Sequence, residues 1–153
     1  MVEPYVKTQT EDFDIDAEIK RVVANNKNIG AVVTFTGLCR DEEGRLASLE
    51  LEHYPGMAET EITQIAQDAI DRFGLDGISA VHRYGNILPG ENIVLVIAAS
   101  KHRQSAFDGA NFLMDFLKTR APFWKKEHGE NGQPGDWVDA IDSDDDALEK
   151  WKA

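Results

Sequence analysis

The stretch that decides the fold is NIVLVIAAS, residues 92–100. It is almost wholly apolar and has the length of a strand, which predicts a central strand buried on both faces of a sheet. The segment ISAVHRYG, residues 78–85, predicts a strand just before it, and LPGE, residues 88–91, predicts the turn between them. GAVVTFTG, residues 30–37, is β-branched, aromatic and bounded by glycines, which predicts another buried strand.

Two further segments have the pattern of strands. LASLELEHY, residues 46–54, alternates apolar and acidic side chains, as a half-exposed strand does. The polar RDEEGR, residues 40–45, precedes it, so we expect residues 30–37 and 46–54 to form a hairpin. DWVDAI, residues 136–141, is interpreted as a last short strand.

Three segments have helical spacing. DAEIKRVVANN, residues 16–26, predicts a short amphipathic helix with Asp16 as its N-cap. MAETEITQIAQDAIDRFG, residues 57–74, carries an apolar stripe and ends at Gly74, a common helix stop. A third helix is expected in SAFDGANFLMDFLK, residues 105–118. Its apolar face is expected to comprise Phe107, Ala110, Met114 and Leu117.

The pattern predicts an α+β fold, a single domain with a mixed or antiparallel sheet and flanking helices. With 153 residues and 42% hydrophobic content, residues 1–153 suffice for one compact core. The acidic segment 142–153 is interpreted as a frayed or weakly helical tail. No G-x-G-x-x-G or Walker motif occurs in the sequence, which excludes the standard nucleotide-binding loops.

Composition excludes several classes of protein. No run of 18 apolar residues occurs, and residues 1–16 lack the pattern of a secretory signal, so we expect a cytoplasmic protein without a membrane partner. The single cysteine, Cys39, excludes an internal disulfide or a cysteine-built zinc site, and we expect neither a metal nor a cofactor. A net charge of -12 argues against nucleic-acid binding through the whole surface.

The charge is nevertheless segregated. Residues 101–126 hold six cations and two carboxylates, whereas the rest of the chain holds ten cations and 26 carboxylates. Such a cluster favours an anionic ligand, and the alternative is a solvated basic face. The basic stretch LKTRAPFWKKE, residues 117–127, is its densest part.

Three segments are candidates for the site. His102 and Arg103 fall where the apolar strand meets the next helix, a junction that favours anion binding. Arg40 follows a predicted strand, and Lys118 lies among other cations and aromatics, which suits proton transfer or nucleophilic chemistry. The alternative for His102 is a helix cap or a bond to a core carbonyl. His82 and Arg83 lie within a predicted strand and are interpreted as structural or interface residues.

Five ordered motifs resemble the large, catalytic subunit of molybdopterin synthase. They are GAVVTFTGLCR (30–40), LELEHYPGMAE (49–59), HRYGNILPGE (82–91), SKHRQSAF (100–107) and MDFLKTRAPFWKKE (114–127). The similarity runs from about Gly30 to Val138. It implies a fold of the α/β-hammerhead kind and a sulfurtransferase in molybdenum cofactor biosynthesis.

The resemblance also implies the reaction and the partners. Enzymes of this family install two dithiolene sulfurs in cyclic pyranopterin monophosphate to make molybdopterin. The sulfur arrives as a thiocarboxylate on the C-terminal Gly-Gly of a small ubiquitin-like subunit, whose tail enters a pocket of the large subunit. Two large subunits form a homodimer at the centre of a heterotetramer. Basic residues are expected in such a pocket because all these groups are anionic.

By motif, the resemblance assigns roles to seven residues. The catalytic lysines are Lys118 and Lys125, and the substrate-binding positions are Arg40, His102, Arg103, Lys126 and Glu127. Some members have a basic residue where this chain has Ile141, so an anion contact from that position is not expected here. The alternative function is a non-catalytic module that binds an anionic ligand or an acidic peptide tail through the same basic cluster.

Overall fold

The computed structural model describes residues 2–41, 46–53, 56–120, 123–129, 134–138 and 148–152. Its strands are β1 (Tyr5–Gln9), β2 (Ala31–Leu38), β3 (Leu46–His53), β4 (Gly77–Arg83), β5 (Gly85–Ile87), β6 (Asn92–Ser100), β7 (Phe123–Gly129) and β8 (Pro134–Val138). Its helices are α1 (Ile15–Val23), α2 (Met57–Phe73) and α3 (Arg103–Thr119). None of the helices in these ranges combines the length and the apolar composition needed to cross a membrane.

The first sheet has the strand order β1-β4-β6-β2 and is mixed, because β1 pairs parallel to β4 while the other pairs are antiparallel. Strand β6 lies inside this sheet, as its apolar sequence predicts. Its side chains alternate: Val94 and Val96 pack in the core that α2 and α3 cover, whereas Leu95 packs in a smaller core with residues of α1. The α+β class with a mixed sheet is thereby confirmed.

The second sheet, with the order β5-β3-β7-β8, corrects the predicted hairpin. Strand β2 belongs to the first sheet and β3 to the second, where β3 pairs with β5 and β7. Backbone hydrogen bonds turn the chain away after β2: the Cys39 N–H donates to the Glu91 carbonyl at 2.8 Å, and the Gly90 N–H donates to the Cys39 carbonyl at 2.7 Å. The prediction that β2 is buried was also wrong, since it is an edge strand with Phe35 and Leu38 exposed.

The helices agree with the sequence pattern except at particular residues. Helix α2 buries the predicted stripe and ends at Gly74, whose φ of 65° is left-handed and suits glycine. Helix α1 begins two residues earlier than expected, because the Asp14 carboxylate, not that of Asp16, accepts the cap hydrogen bond from Ala17 N–H at 3.1 Å. Phe107 was predicted in the core but is exposed.

Three strands, β1, β5 and β7, have no counterpart in the predicted elements. Strand β8 covers the start of the predicted strand at residues 136–141, and residues 139–141 lie outside the described part. Each unpredicted strand pairs with a longer one, β1 with β4 and both β5 and β7 with β3. Pairing with a partner distant in sequence therefore defines them more than their own pattern does.

The end of the acidic tail, which the sequence predicts as frayed or weakly helical, is a docked helical turn at residues 148–152, so the frayed alternative is wrong for them. The Trp151 ring contacts Phe112 edge-on at 5.4 Å between centroids, and its Nε1–H donates to the Asp115 carboxylate at 2.6 Å. The Arg72 guanidinium donates to the Trp151 carbonyl at 2.7 Å, and Leu148 is buried. This segment therefore packs on α2 and α3.

Trp151→Ala should lower the free energy of unfolding by about 1–3 kcal/mol, because it removes a half-buried ring and its hydrogen bond. Lys152→Ala is the matched control, since Lys152 is exposed and pairs with the exposed Glu149 nearby. Urea denaturation of both variants checks the difference. Equal midpoints for the two variants would show that the tail does not stabilise the helices.

Candidate active site

A pocket of about 100 Å³ lies where the first sheet, α3 and the second sheet meet. We call it the lysine pocket. Its walls are Phe35, Gly37, Leu38, His82, Ile93, Val94, Met114, Leu117, Lys118, Phe123 and Lys125. Most of these side chains are apolar, and the polar groups among them are two lysines and one histidine. Charges at such a wall interact more strongly than in water, because the apolar surroundings screen them less.

The two lysines reach the lysine pocket from different elements. Lys118 lies in the last turn of α3, and Lys125 lies in β7, where its backbone is paired with Leu51 of β3 and Val138 of β8. Phe123 and Lys125 are two residues apart on β7, and both line the pocket, in accordance with the alternation of a strand. The two predicted catalytic lysines thus share one site, although β7 itself was not predicted.

His82, at the end of β4, is the pocket residue whose position the sequence did not predict. The pKa of His82 falls to about 4, mainly because of burial and to a smaller extent because of the nearby charges of Lys125 and Lys118. The ring is therefore neutral at pH 7. A histidine at the end of an otherwise apolar strand was the available signal.

An aromatic stack supports His82 from the second sheet. The ring of Phe123 lies nearly parallel to that of His82, with 3.8 Å between the centroids, and to that of His53, at 5.7 Å. The next residue, Arg83, has the structural role expected of it: Nε donates to the Thr10 carbonyl at 3.0 Å and Nη1 to the Asn92 carbonyl at 2.8 Å. His82 therefore lines the pocket, whereas Arg83 holds neighbouring segments of the chain together.

Arg40 lies two residues beyond Leu38, which lines the pocket, and its side chain is exposed. The backbone bonds of Cys39 to Gly90 and Glu91 fix this end of β2 against the turn before β6. Arg40 is therefore held at the same end of the first sheet as the lysine pocket, although it does not line it. Cys39 itself is buried in a small apolar cluster, in agreement with a packing role.

His102 and Arg103 lie at the opposite end of α3 from Lys118. His102 is the N-cap residue, Arg103 begins the helix, and both side chains are exposed. Fifteen residues separate Arg103 from Lys118, a distance of about 22 Å at the helical rise of about 1.5 Å per residue. The chain therefore does not bring the two residues into its own lysine pocket.

Lys126 and Glu127 have their backbones in β7, paired with Glu50 and Leu49 of β3. Their side chains lie outside the described part of the structure, and so does Ile141. The roles that the motifs assign to these residues stay predictions.

The sequence and the fold are similar to proteins of one family. The family model for MoaE protein matches residues 8–120. The molybdopterin synthase catalytic subunit of Rhizobium meliloti (strain 1021) is 62% identical over 146 residues, which cover 95% of this chain and 94% of the relative.

Solved structures give the same result. The molybdopterin biosynthesis MoaE protein from Burkholderia ambifaria has a TM-score of 0.84 at 44% identity, and the match covers 98% of this chain and 99% of that one. Molybdopterin synthase from Staphylococcus aureus has a TM-score of 0.77 at 30% identity, with 90% and 96% covered. Since the family model spans most of the sequence and these relatives match nearly all of it, this chain belongs to the MoaE protein family.

Proposed function

We propose that this chain is the sulfur-transferring subunit of a molybdopterin synthase and that the lysine pocket is where the transfer occurs. The observation that carries the proposal is the convergence of Lys118, from the end of α3, and Lys125, from β7, on one apolar-walled pocket. Its relatives are catalytic subunits of molybdopterin synthase, and two fixed cations suit the anionic reactants of that reaction. We place the enzyme in the cytoplasm.

The two lysines have distinct tasks in this proposal. The thiocarboxylate is an anion, and its negative charge shifts towards the precursor as its sulfur bonds to a carbon of the precursor. Water then cleaves the bond between that sulfur and the glycine carbonyl, so the sulfur stays on the precursor and the carrier leaves as a carboxylate. Lys118 stabilises that charge or transfers a proton at the reacting carbons, and Lys125 assists it or holds the thiocarboxylate. Leu117, Phe123 and their apolar neighbours form the walls, so the charges of the two lysines are screened less at the pocket than in bulk water.

The partner is a small ubiquitin-like subunit whose C-terminal Gly-Gly carries the sulfur. The relatives are named as catalytic subunits, which supports a partner subunit, and the small lysine pocket favours a tail without side chains. The pocket is basic while the chain has a net charge of -12, so the tail and apolar contacts supply more of the affinity than long-range attraction does.

The position of His102 and Arg103 supports a homodimer at the centre of a heterotetramer. These residues are assigned to the phosphate and pterin of the precursor, yet about 22 Å of helix separates them from Lys118 of the same chain. In a dimer of large subunits, they can serve the pocket of the second subunit. Arg40 lies near the pocket of its own chain and is the third residue proposed to bind the precursor there.

Mixed dimers test this arrangement. One protomer carries Lys118→Ala and the other Arg103→Ala, with two affinity tags to isolate the mixed species. If Arg103 serves the second subunit's pocket, one of the two pockets is intact, and the mixed dimer should regain about half of wild-type activity. If Arg103 acts in its own chain, both pockets are damaged and activity stays at the level of the variants.

Reconstitution tests the function itself. The chain is mixed with its thiocarboxylated small subunit and cyclic pyranopterin monophosphate, and formation of the dithiolene is followed. Product that depends on all three components supports the proposal. Tight binding of both reactants without product would favour a binding module instead.

A further inference from the structure

Of the two ring nitrogens of His82, Nδ1 forms a hydrogen bond to the backbone, and Nε2 forms none with the residues that the structure describes. Nδ1 lies 2.8 Å from the Arg83 carbonyl oxygen. A carbonyl oxygen only accepts hydrogen bonds, so Nδ1 carries the hydrogen and Nε2 of the neutral ring keeps its lone pair. The backbone of β4 therefore sets the tautomer.

The lone pair of Nε2 has no hydrogen-bond donor in the part of the chain that the structure describes. Among the residues that the structure describes, the bond from Nδ1 is the only hydrogen bond of the ring. The residue is 8% exposed, stacked on Phe123 at 3.8 Å between centroids, and lines the lysine pocket. The ring offers this lone pair to the pocket, so a ligand that brings an N–H there gains a hydrogen bond.

We propose that His82 Nε2 accepts a hydrogen bond from the backbone N–H of the C-terminal glycine of the small subunit when its tail enters the lysine pocket. This inference rests on the proposed function. A C-terminal glycine presents one anionic group and, one residue length away, one N–H donor. The pocket offers the complementary set, with Lys118 and Lys125 for the anion and His82 for the N–H. His82 is thus a binding residue for the tail.

The pocket walls favour the tail over the precursor as the source of this N–H. The remaining wall residues have apolar side chains or, at Gly37, none, and the volume is about 100 Å³. A glycine has no side chain to place against these walls, whereas the polar edges of a pterin would lie against them without hydrogen-bond partners. Burial holds the pKa of His82 near 4, so the acceptor is present throughout the neutral pH range.

A pair of substitutions separates this role from a structural one. In His82→Asn the amide nitrogen occupies the position of Nδ1 and keeps the bond to the Arg83 carbonyl, but nothing occupies the position of Nε2. In His82→Gln the amide reaches the position of Nε2 and can accept a hydrogen bond there, but the bond to Arg83 is lost. A structural role and a ligand-binding role therefore rank the two variants in opposite order.

Calorimetry with the small subunit in its carboxylate form measures the ranking. His82→Gln should bind within about 3-fold of wild type, and His82→Asn should bind about 10-fold more weakly, as expected for one hydrogen bond in a buried site. Thermal unfolding should give the reverse order, with His82→Asn the more stable. The same two substitutions at His53, which stacks on Phe123 but does not line the pocket, are the matched control and should not show this reversal.

Equal affinities of the two His82 variants, or affinities that follow their stabilities, would overturn the proposal. A measurement on the wild-type chain guards against variants that fold poorly. With ¹⁵N-labelled histidine, the Nε2 resonance of His82 should shift on adding the small subunit, because the lone pair accepts a hydrogen bond. No shift, or a shift with the precursor alone, contradicts it. These titrations involve no sulfur transfer, so they remain interpretable even if the reconstitution yields no product.

Discussion

Lys118→Ala should abolish product formation while the protein stays folded and still binds its small subunit. Lys118 is exposed in the last turn of α3 and lines the lysine pocket, so its removal takes away charge at the reacting centre and little of the core. A cation near a helix C-terminus contributes only about 0.3–1 kcal/mol to stability. Steady-state turnover in the reconstituted system measures the effect. Lys125→Ala should be severe but less complete.

The control for Lys118→Ala is Lys27→Ala, which removes an exposed lysine from the turn after α1 and should leave turnover unchanged. Retention by Lys118→Ala of more than about a tenth of wild-type turnover corresponds to a loss below about 1.4 kcal/mol of transition-state stabilisation. Such a result would contradict the catalytic assignment. A graded loss of affinity alone would instead favour the anion-binding module, because chemistry depends on one positioned charge whereas a binding patch distributes its contacts.

Local patterns predicted the elements whose stability is local. Helix α2 has a 17-residue amphipathic stripe and a left-handed glycine at its end, and both features are visible in the sequence. Strand β6 is apolar on both faces because helices cover both faces of its sheet. The end of β2, in contrast, is set by hydrogen bonds between Cys39 and the turn at Gly90 and Glu91, and no local pattern shows that pairing.

The candidate site was predictable in its charges and less so in its geometry. Strand β7 was not predicted because its sequence, FWKKEHG, combines aromatics with four charged or titratable side chains and lacks the pattern of a strand. Its regular structure comes from pairing with β3. His82 is positioned by β4, and the opposite wall that makes its surroundings a pocket includes Phe123 of β7, an element that the sequence did not reveal. The cations between residues 101 and 126 are close in sequence, but α3 separates those at its start from those at its end. The sequence pattern alone does not show this distance.

Removing the two C-terminal glycines of the small subunit should eliminate sulfur transfer, even when the shortened chain is thiocarboxylated chemically. Two residues of extended chain span about 7 Å, so the sulfur would stop short of Lys118 and Lys125. Misplacing a reacting group by as little as 1 Å can cost about 100-fold in rate. Product formation from the shortened carrier should therefore fall by more than that factor.

Binding of the same shortened carrier should weaken only in part, by about 10- to 100-fold, because the folded body of the small subunit still docks. Exposed apolar side chains for such docking are present beside the pocket: Phe35 and Leu38 line it and are 41% and 53% exposed.

Arg103→Ala provides the opposite case, since it should weaken binding of the precursor and leave the protein complex intact. Calorimetry on both proteins distinguishes the assignments. If Arg103→Ala disrupts the protein complex while the affinity for the precursor is unchanged, Arg103 binds the small subunit and its assignment to the precursor is wrong. If the shortened carrier shows no binding at all, the tail supplies the whole interface, and the exposed side chains of β2 have another partner.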